Sequence, residues 1–463
     1  MNKRKSRRSI FGWMMFDWAT QPYSTLLLTF IFAPYFAEIV TIKKLNLGFS
    51  EQAAAADAQS LWGIFLAISG LLIAVCAPVF GVIADKSRSH IKLICYFSVC
   101  YVVGASGLWF ATPDTLNVIL ILAFFSLGLF GMELATTLTN AFLPRLAPLE
   151  KLGRISGSGW AIGYVGGLVA IIIALLFFAE NSNGVTILGK PPALGLNPDL
   201  REGTRAIGPL TAIWFAIFMT PFFLYVRSPA TNGPKPSIHF FTAIMLVLDS
   251  IRKLRENRSL FSYLVSSMFY RDALNGIYSF GGIYAYGVLG WSVTDIGMFG
   301  ILALISGAIF SWVGGIFDSK FGSKKVIQLS IFTLIVTTFS LVMITPDSIF
   351  GITLSSDEIL GTLSGPDCAF YFCGMILGAM GGIVQAASRT MLVFQADTSK
   401  ITETFGLYAF SGKATAFLAP LLVSIFTYVF QSQRIGVLPI IGLFIIGLSL
   451  LTFVDKKGRD RVR

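Results

Sequence analysis

The chain of 463 residues is 55% hydrophobic and only 13% charged, with a mean hydropathy of +0.74. So few polar residues cannot cover a water-soluble surface, which excludes a soluble globular protein and predicts an integral membrane protein. The net charge of +11 lies mostly in short segments between apolar runs. That pattern is typical of topology signals, and we expect no nucleic-acid partner.

A helix needs about 20 mostly apolar residues to cross a bilayer. We therefore predict an all-α membrane protein with twelve transmembrane helices, called spans 1 to 12, at 12–38, 60–84, 92–111, 117–142, 155–178, 209–226, 259–289, 294–317, 325–345, 368–394, 404–430 and 435–454. The basic head before span 1 is similar to that of a signal peptide. Span 1 is too long for one and lacks a small-residue cleavage site, so we expect it to remain as a helix.

Lys and Arg residues concentrate at the two termini and in the connections after even-numbered spans. The positive-inside rule then places both termini in the cytoplasm, as expected for a protein of the plasma (bacterial inner) membrane. An even number of crossings agrees with this orientation.

The second span ends in a short signature that recurs after span 8, about half the chain later. The first copy runs from Gly81 to Asp85, and the second runs from Gly314 to Asp318. Each is followed by basic residues, namely Lys86 and Arg88 in the first copy and Lys320 in the second. Matching marks in spans 1 and 7, and in spans 5 and 11, predict one six-helix unit written twice, an arrangement typical of transporters.

The glycine of each signature lies one helical turn before the aspartate, where it lets a neighbouring helix approach closely. A carboxylate at the membrane surface can then meet a helix N-terminus or an arginine. Such contacts form in one access state and break in the other, so we assign gating to Gly81, Asp85, Lys86, Arg88, Gly314, Asp318 and Lys320. A turn carrying only orientation charges is the alternative.

The connection between spans 6 and 7 divides the chain into predicted domains at 1–227, 228–258 and 259–463. The outer two are six-helix bundles, and the middle one is a cytoplasmic linker. Within it, apolar residues recur at helical spacing beside Arg252, Lys253, Arg255 and Arg258. This pattern predicts a basic amphipathic helix at the membrane surface, with an unstructured linker as the alternative.

Charged residues inside a bilayer are costly and are therefore functional candidates. Asp272 and Glu133 lie near the middle of spans 7 and 4, and we consider them first as proton carriers, with neutral or paired structural groups as the alternative. His90 and His239, the only histidines, fall in predicted cytoplasmic segments, so a buried histidine relay is excluded. Asp17 is shallower and is expected to serve a gate or to pair with a cation.

Arg271 and Lys413 supply positive charge within spans 7 and 11. They can complement an acidic group of a substrate, or pair with Asp17. Because both charge signs are available, a zwitterion such as an amino acid is a plausible substrate. Further polar and aromatic candidates for the cavity wall are Gln21, Asn275, Gln385, Trp160, Tyr164 and Tyr408, with simple packing as the alternative.

Six-plus-six spans with the repeated signature resemble the major facilitator superfamily over nearly the whole chain. More specifically, the stretches Phe16–Ala19, Ser156–Tyr164 and Phe405–Thr415 are similar to the branch related to the autophagy-linked vacuolar amino-acid effluxer of fungi. The resemblance implies the major facilitator fold, with two pseudo-symmetric bundles, and amino acids as the substrate class. This sequence departs from the family pattern at Arg88, where glycine is expected.

These features predict a secondary active transporter of a small organic solute, an amino acid or related metabolite, working by alternating access with proton coupling. Two alternatives stay open, an exporter of amphipathic drugs or lipid-like molecules and a non-transporting receptor or scaffold. The sequence contains no Walker motif, metal-ligand cluster or nucleophile constellation. We therefore expect neither an enzyme nor a cofactor or metal, and a monomer whose partners are its substrate, protons and the lipid bilayer.

Overall fold

The computed structural model describes residues 3–113, 117–181, 183–227, 238–291, 293–353 and 364–456. Its α-helices are α1 (Lys3–Pro22), α2 (Phe32–Asn46), α3 (Glu51–Ser87), α4 (His90–Gly107), α5 (Val118–Asn140), α6 (Leu143–Leu146), α7 (Leu152–Phe177), α8 (Glu202–Tyr225), α9 (Phe240–Lys253), α10 (Arg258–Leu289), α11 (Val293–Phe321), α12 (Ser323–Val342), α13 (Gly365–Gln395), α14 (Ile401–Ala414), α15 (Leu418–Phe430) and α16 (Gln433–Leu451). Three short antiparallel strands, β1 (Ile344–Thr345), β2 (Ser348–Ile349) and β3 (Ile352–Thr353), form a small sheet after α12.

Eleven helical segments of the described chain are long and apolar enough to cross a membrane. The one predicted span that is not among these eleven is span 7. It corresponds to α10, a helix of 32 residues that carries Arg271, Asp272 and Asn275. Its length suits a membrane crossing, whereas its polar residues lower its hydropathy. The twelve-helix prediction therefore agrees with the helices observed.

Two predicted spans differ in detail from the structure. Span 1 runs from α1 through a π-helix (Tyr23–Phe30) into α2, so most of the predicted loop at 39–59 is helical. Pro22 ends α1, and the missing N–H of a proline disturbs the regular hydrogen-bond ladder at such a point. Span 11 is broken, because α14 ends at Ala414 and α15 begins at Leu418.

The chain forms two compact units. Unit 1 contains Met1–Phe142 and Ile162–Phe240, and unit 2 contains Leu143–Ala161 and Phe241–Arg463. By this division α7 begins among the residues of unit 2 and ends among those of unit 1. The domain limits predicted from the sequence, at 227 and 258, stay a prediction.

Aromatic side chains fill the core of unit 1. Tyr101 stacks on Phe215 with ring centroids 4.0 Å apart, which joins α4 to α8. Tyr23 is fully buried, and its hydroxyl donates to the carbonyl of Phe125 at 2.5 Å. Each ring adds a large buried apolar area, and the hydroxyl is satisfied where no water reaches it.

Small residues set the packing of unit 2. A side chain at Gly378 of α13 would overlap the carbonyl of Ala303 in α11, and one at Gly374 would overlap the ring of Phe299. Helices in a bilayer gain little from the hydrophobic effect, so close backbone approach of this kind provides much of their association energy. It fixes α11 and α13 as the paired helices on which α7 begins.

The connection between α7 and α8 is held by a buried carboxylate. Glu180 Oε2 accepts the backbone N–H of Thr204 at 3.0 Å, and Arg201 Nη2 donates to Glu38 at 2.8 Å. Burial raises the pKa of Glu180, against the opposing effects of its own backbone hydrogen bond, the Arg201 guanidinium and Thr204. Glu180 therefore holds its proton to a higher pH in the folded protein than in the unfolded chain.

This shift predicts a pH-dependent stability. The folded protein binds more protons than the unfolded chain as pH rises from about 4.5, so the free energy of unfolding falls across that range. As pH rises, we therefore expect the apparent melting temperature of the wild type in detergent to fall relative to that of Glu180→Gln. Glu38→Gln, which alters a carboxylate with 47% of its side chain exposed, is the control. A constant difference between wild type and Glu180→Gln from pH 4.5 to 8 would contradict the prediction.

Candidate functional site

Arg271 lies halfway along α10 and is held against α14. Its Nη1 donates to the carbonyl of Tyr408 at 2.9 Å, and its guanidinium carbon lies 4.0 Å from the centroid of the Tyr408 ring. One turn further along α14, a Cβ atom at Gly412 would lie 2.6 Å from the guanidinium carbon. Glycine at this position therefore leaves the space that the guanidinium occupies.

Most of the hydrogen-bonding capacity of Arg271 is not used by the described part of the chain. A guanidinium carries five N–H donors, and the bond to Tyr408 is the one that the described residues accept. None of the described carboxylates of unit 2 lies within ion-pair distance of it. A guanidinium with open donors has the chemistry to bind an anion, and this role of Arg271 stays a prediction.

The position of Tyr408 is fixed by a second group of tyrosines. Its ring stacks on that of Tyr263 at 6.2 Å and an interplanar angle of 3°. The Tyr263 hydroxyl donates to the Ser388 carbonyl at 2.7 Å, and the hydroxyls of Tyr270 and Ser388 share a hydrogen bond of 2.8 Å. Helices α10, α13 and α14 thus support Arg271 together.

One face of α10 extends this site. Asn275 and Tyr278 follow Arg271 at helical positions i+4 and i+7, and both are exposed, Tyr278 by 45%. Nearby in sequence, Lys413 follows Gly412 and is half-buried, as is Gln385 on α13. Arg271, Asn275 and Tyr278 thus form a polar and aromatic face of α10.

Asp272, the next residue, points elsewhere. It is 1% exposed, and its Oδ2 accepts the backbone N–H of Ala419 at 2.8 Å, within the first turn of α15. The carboxylate thus stabilises the positive end of a helix. Gly276 makes room for this contact, since a Cβ there would lie 2.8 Å from the Cβ of Ala419. Among the described residues, Oδ1 of Asp272 has no hydrogen-bond partner.

The second signature meets the beginning of α7. Asp318 is 4% exposed, and its Oδ1 accepts the hydroxyl of Ser323 at 2.5 Å. A Cβ at Gly153 would lie 2.7 Å from its other oxygen, and the N–H of Arg154 donates to the Ser319 hydroxyl at 3.0 Å. The carboxylate therefore lies at the N-terminus of α7, and its role in gating stays a prediction.

The glycines near Asp318 divide their contacts between two helices. Gly314 packs against Ile383 of α13, whereas Gly315 meets Gly157 of α7, with a Cβ on Gly157 placed 2.7 Å from the Cα of Gly315. The motif pointed to Gly314 and missed Gly315. Lys320, predicted to join the gate, is exposed beside the ring of Phe321 at 5.3 Å.

Arg389 forms the second attachment of α7 within unit 2. It is 5% exposed, and its Nε donates to the Ser156 hydroxyl at 3.0 Å while its Nη2 donates to the Ser156 carbonyl at 2.8 Å. The Ser156 hydroxyl in turn donates to the carbonyl of Ala386 at 2.7 Å. Trp160, predicted to line the cavity, lies with its ring 5.9 Å from the Arg389 guanidinium. The intramembrane charge of Arg389 was visible in the sequence, but its partner Ser156 was not.

The first signature is built differently. Oδ1 of Asp85 lies 3.2 Å from Nε2 of His90, and both side chains are buried. Arg88 ends α3 with a left-handed φ of 54°. Lys86 and Arg88 are exposed, and Gly81 is buried within α3. His90 thus contacts Asp85 in the first signature, whereas Ser323 contacts Asp318 in the second.

The remaining predicted residues lie in unit 1. Asp17 is half-buried next to Gly163, and Gln21 lies next to Gly167, where a Cβ would be 2.8 Å from its Cγ. Glu133 of α5 and Tyr164 of α7 are also half-buried. Their roles, and the pairing of Asp17 with Lys413 or Arg271, stay predictions.

Comparison with solved structures identifies the fold. The proton:xylose symporter XylE of the major facilitator superfamily superposes with a TM-score of 0.67 at 12% identity, covering 98% of this chain and 96% of that one. The human organic anion transporter MFSD10 gives a TM-score of 0.65 at 13% identity, with 96% and 99% covered. The chain therefore has the twelve-helix major facilitator fold with two pseudo-symmetric bundles, as predicted.

The family follows from the sequence. Residues 5–462 match the family described as "Vacuole effluxer Atg22 like", so the chain belongs to that family. The MFS-type transporter YxiO of Bacillus subtilis (strain 168) is 23% identical over 447 residues, which cover 96% of this chain and 94% of YxiO. Autophagy-related protein 22-1 of Penicillium rubens is 21% identical over 348 residues, 72% of this chain and 53% of that protein. The predicted resemblance is confirmed.

The contact between Gly157 and Gly315 predicts a measurable effect. Gly157→Val places a branched side chain against backbone, and we expect a loss of about 1–3 kcal/mol of stability from overpacking. Maleimide should also label a cysteine introduced at Ser319 faster in a cysteine-free background, because α7 moves away from α11. Gly442→Val, at a position with open space around it, is the matched control. Equal melting temperatures and labelling rates in both variants would contradict the packing role.

Proposed function

We propose that this protein transports an amino acid or a related carboxylate-bearing metabolite by alternating access, coupled to protons, as a monomer in the plasma (bacterial inner) membrane. Both termini are cytoplasmic in this proposal. The observation that carries it is Arg271, a half-buried cation near the middle of α10 that has open donors and shares a helix face with Asn275.

A carboxylate is the anion that best fits this guanidinium. The planar fork of arginine binds a carboxylate through two parallel hydrogen bonds, and exclusion of water strengthens them. The single bond to Tyr408 fixes the guanidinium while leaving donors for a ligand. Asn275, one turn along the same face, offers an amide oxygen to an ammonium group, so one ligand can carry both charges.

Asp272 is suited to proton coupling because its charge supports a helix end. The carboxylate accepts the N–H of Ala419 where span 11 is broken. Protonation removes the negative charge that stabilises the N-terminus of α15, so proton uptake weakens that support. The joint between α14 and α15 is then free to change its angle. Glu133, half-buried in α5, is the second candidate proton carrier.

Contacts at the beginning of α7 are suited to a gate. Asp318 lies at the N-terminus of α7, and Arg389 holds Ser156 one turn further on. Both sets of contacts are polar, compact and confined to the first turns of the helix. We assign them to the state closed toward the cytoplasm, and alternating access requires that they break in the other state.

Substitution of Arg271 tests solute recognition. In proteoliposomes screened with amino acids and related acids, we expect Arg271→Gln to lower kcat/KM by about 100-fold, because a charge-assisted contact is lost. Arg271→Lys should retain part of the activity, since it keeps the charge without the fork. Gly412→Ala should act similarly by displacing the guanidinium.

Arg434→Gln is the control, because Arg434 donates to the Val342 carbonyl away from this site. Unchanged uptake kinetics in Arg271→Gln would overturn the assignment. Folded wild type that moves none of the tested solutes would instead support a non-transporting scaffold.

Substitution of Asp272 tests proton coupling. Asn can still accept the N–H of Ala419 but cannot release a proton. We expect Asp272→Asn to bind and exchange solute while abolishing solute-driven proton movement, measured with a pH dye inside the liposomes. Glu133→Gln, tested in parallel, shows which carboxylate carries the proton. If pH-dependent uptake persists unchanged in both variants, neither group is the proton carrier.

A further inference from the structure

Helix α9 is placed at the membrane surface by its connection to α10. It ends at Lys253 and continues through a 3-10 helix (Leu254–Glu256) to Arg258, where α10 begins. Because α10 crosses the membrane, and a residue spans at most about 3.6 Å of chain, the end of α9 lies at the height where α10 enters the bilayer. In the proposed orientation this is the cytoplasmic surface.

The helix has three distinct sides. Successive residues are rotated by about 100°, which places Ala243 and Val247 on one side, where they are 0% and 6% exposed. The second side is polar. The third side carries exposed apolar residues, with Phe241 79%, Met245 73% and Leu248 50% exposed. A helix of this kind lies where protein, water and a nonpolar medium meet.

The nonpolar medium is lipid. Transfer of apolar side chains such as Phe241 and Met245 from water to a nonpolar medium is favourable. They belong to a helix that adjoins a membrane-crossing segment, and amphipathic helices at that position bury their apolar side at the boundary between headgroups and acyl chains. The bilayer is thus the partner already within reach of this surface.

The charges at the end of α9 indicate which lipid. Lys253 forms an ion pair with Asp249 at 2.7 Å, so these two charges offset each other. Arg252, Arg255 and Arg258 are exposed, and none of them takes part in the ion pairs of the described residues. Guanidinium groups at headgroup height bind phosphate oxygens through paired hydrogen bonds.

We propose that α9 is an interfacial helix that binds anionic phospholipids. Phe241, Met245 and Leu248 insert below the headgroups, while Arg252, Arg255 and Arg258 hold their phosphates. This surface is separate from the solute site at Arg271, and its binding can be measured without transport.

The insertion is tested by spin labels in a cysteine-free background reconstituted into phosphatidylglycerol-containing bilayers. A nitroxide at Leu248→Cys should be accessible to oxygen and shielded from a water-soluble nickel complex. One at Thr242→Cys, on the polar side, should show the opposite. The proposal is overturned if both labels are equally accessible to the nickel complex, or if the protein shields the label at position 248 from both reagents.

The headgroup preference is tested on the full-length protein by native mass spectrometry with phosphatidylglycerol and phosphatidylcholine. Each arginine should contribute about fivefold in affinity, so the triple variant Arg252→Gln, Arg255→Gln, Arg258→Gln should lose about 100-fold for phosphatidylglycerol and little for phosphatidylcholine. The matched control removes three positive charges elsewhere in the chain, by replacing the exposed lysines Lys92, Lys151 and Lys325 with Gln. Equal losses in both triple variants would show a general effect of net charge and would overturn the assignment.

Discussion

A full charge in the hydrocarbon of a bilayer is costly unless it is paired, capped or open to water, and α10 carries two opposite charges at consecutive positions. Because they are adjacent, Arg271 and Asp272 project in different directions from one helix. One oxygen of Asp272 accepts a backbone N–H in the first turn of α15, and the other has no partner among the described residues. Arg271 is only partly satisfied by Tyr408, so each of the two charges keeps hydrogen-bonding capacity that we propose is used during transport.

The same constraint accounts for the glycines around the site. Gly276 lets α15 approach Asp272, and Gly412 leaves room for the guanidinium of Arg271. At the beginning of α7, Gly153 and Gly157 serve Asp318 and Gly315 in the same way. Buried charge and missing side chains therefore occur together, since a polar group can be satisfied in a bilayer only where backbones come close.

The sequence was sufficient for the membrane class, the twelve helices and the family, because those follow from long apolar runs, basic connections and repeated motifs. It was not sufficient for the break in span 11. The residues around Thr415–Phe417 are mostly apolar, and the carboxylate that caps α15 comes from Asp272, far away in the chain. The partners of Ser156 and Arg389 were hidden for the same reason, as was the choice of Gly315 over Gly314. The functional roles assigned to the site residues remain hypotheses.

The adjacency of Arg271 and Asp272 has a mechanical consequence. The two side chains share a rigid helical backbone, so a rotation or shift of α10 that draws the guanidinium toward a bound anion also moves the carboxylate relative to α15. In the proposed mechanism, solute occupancy and the angle between α14 and α15 then depend on the same movement of α10. Movement of one rigid helix can in this way transmit ligand binding to a hinge that the ligand does not contact.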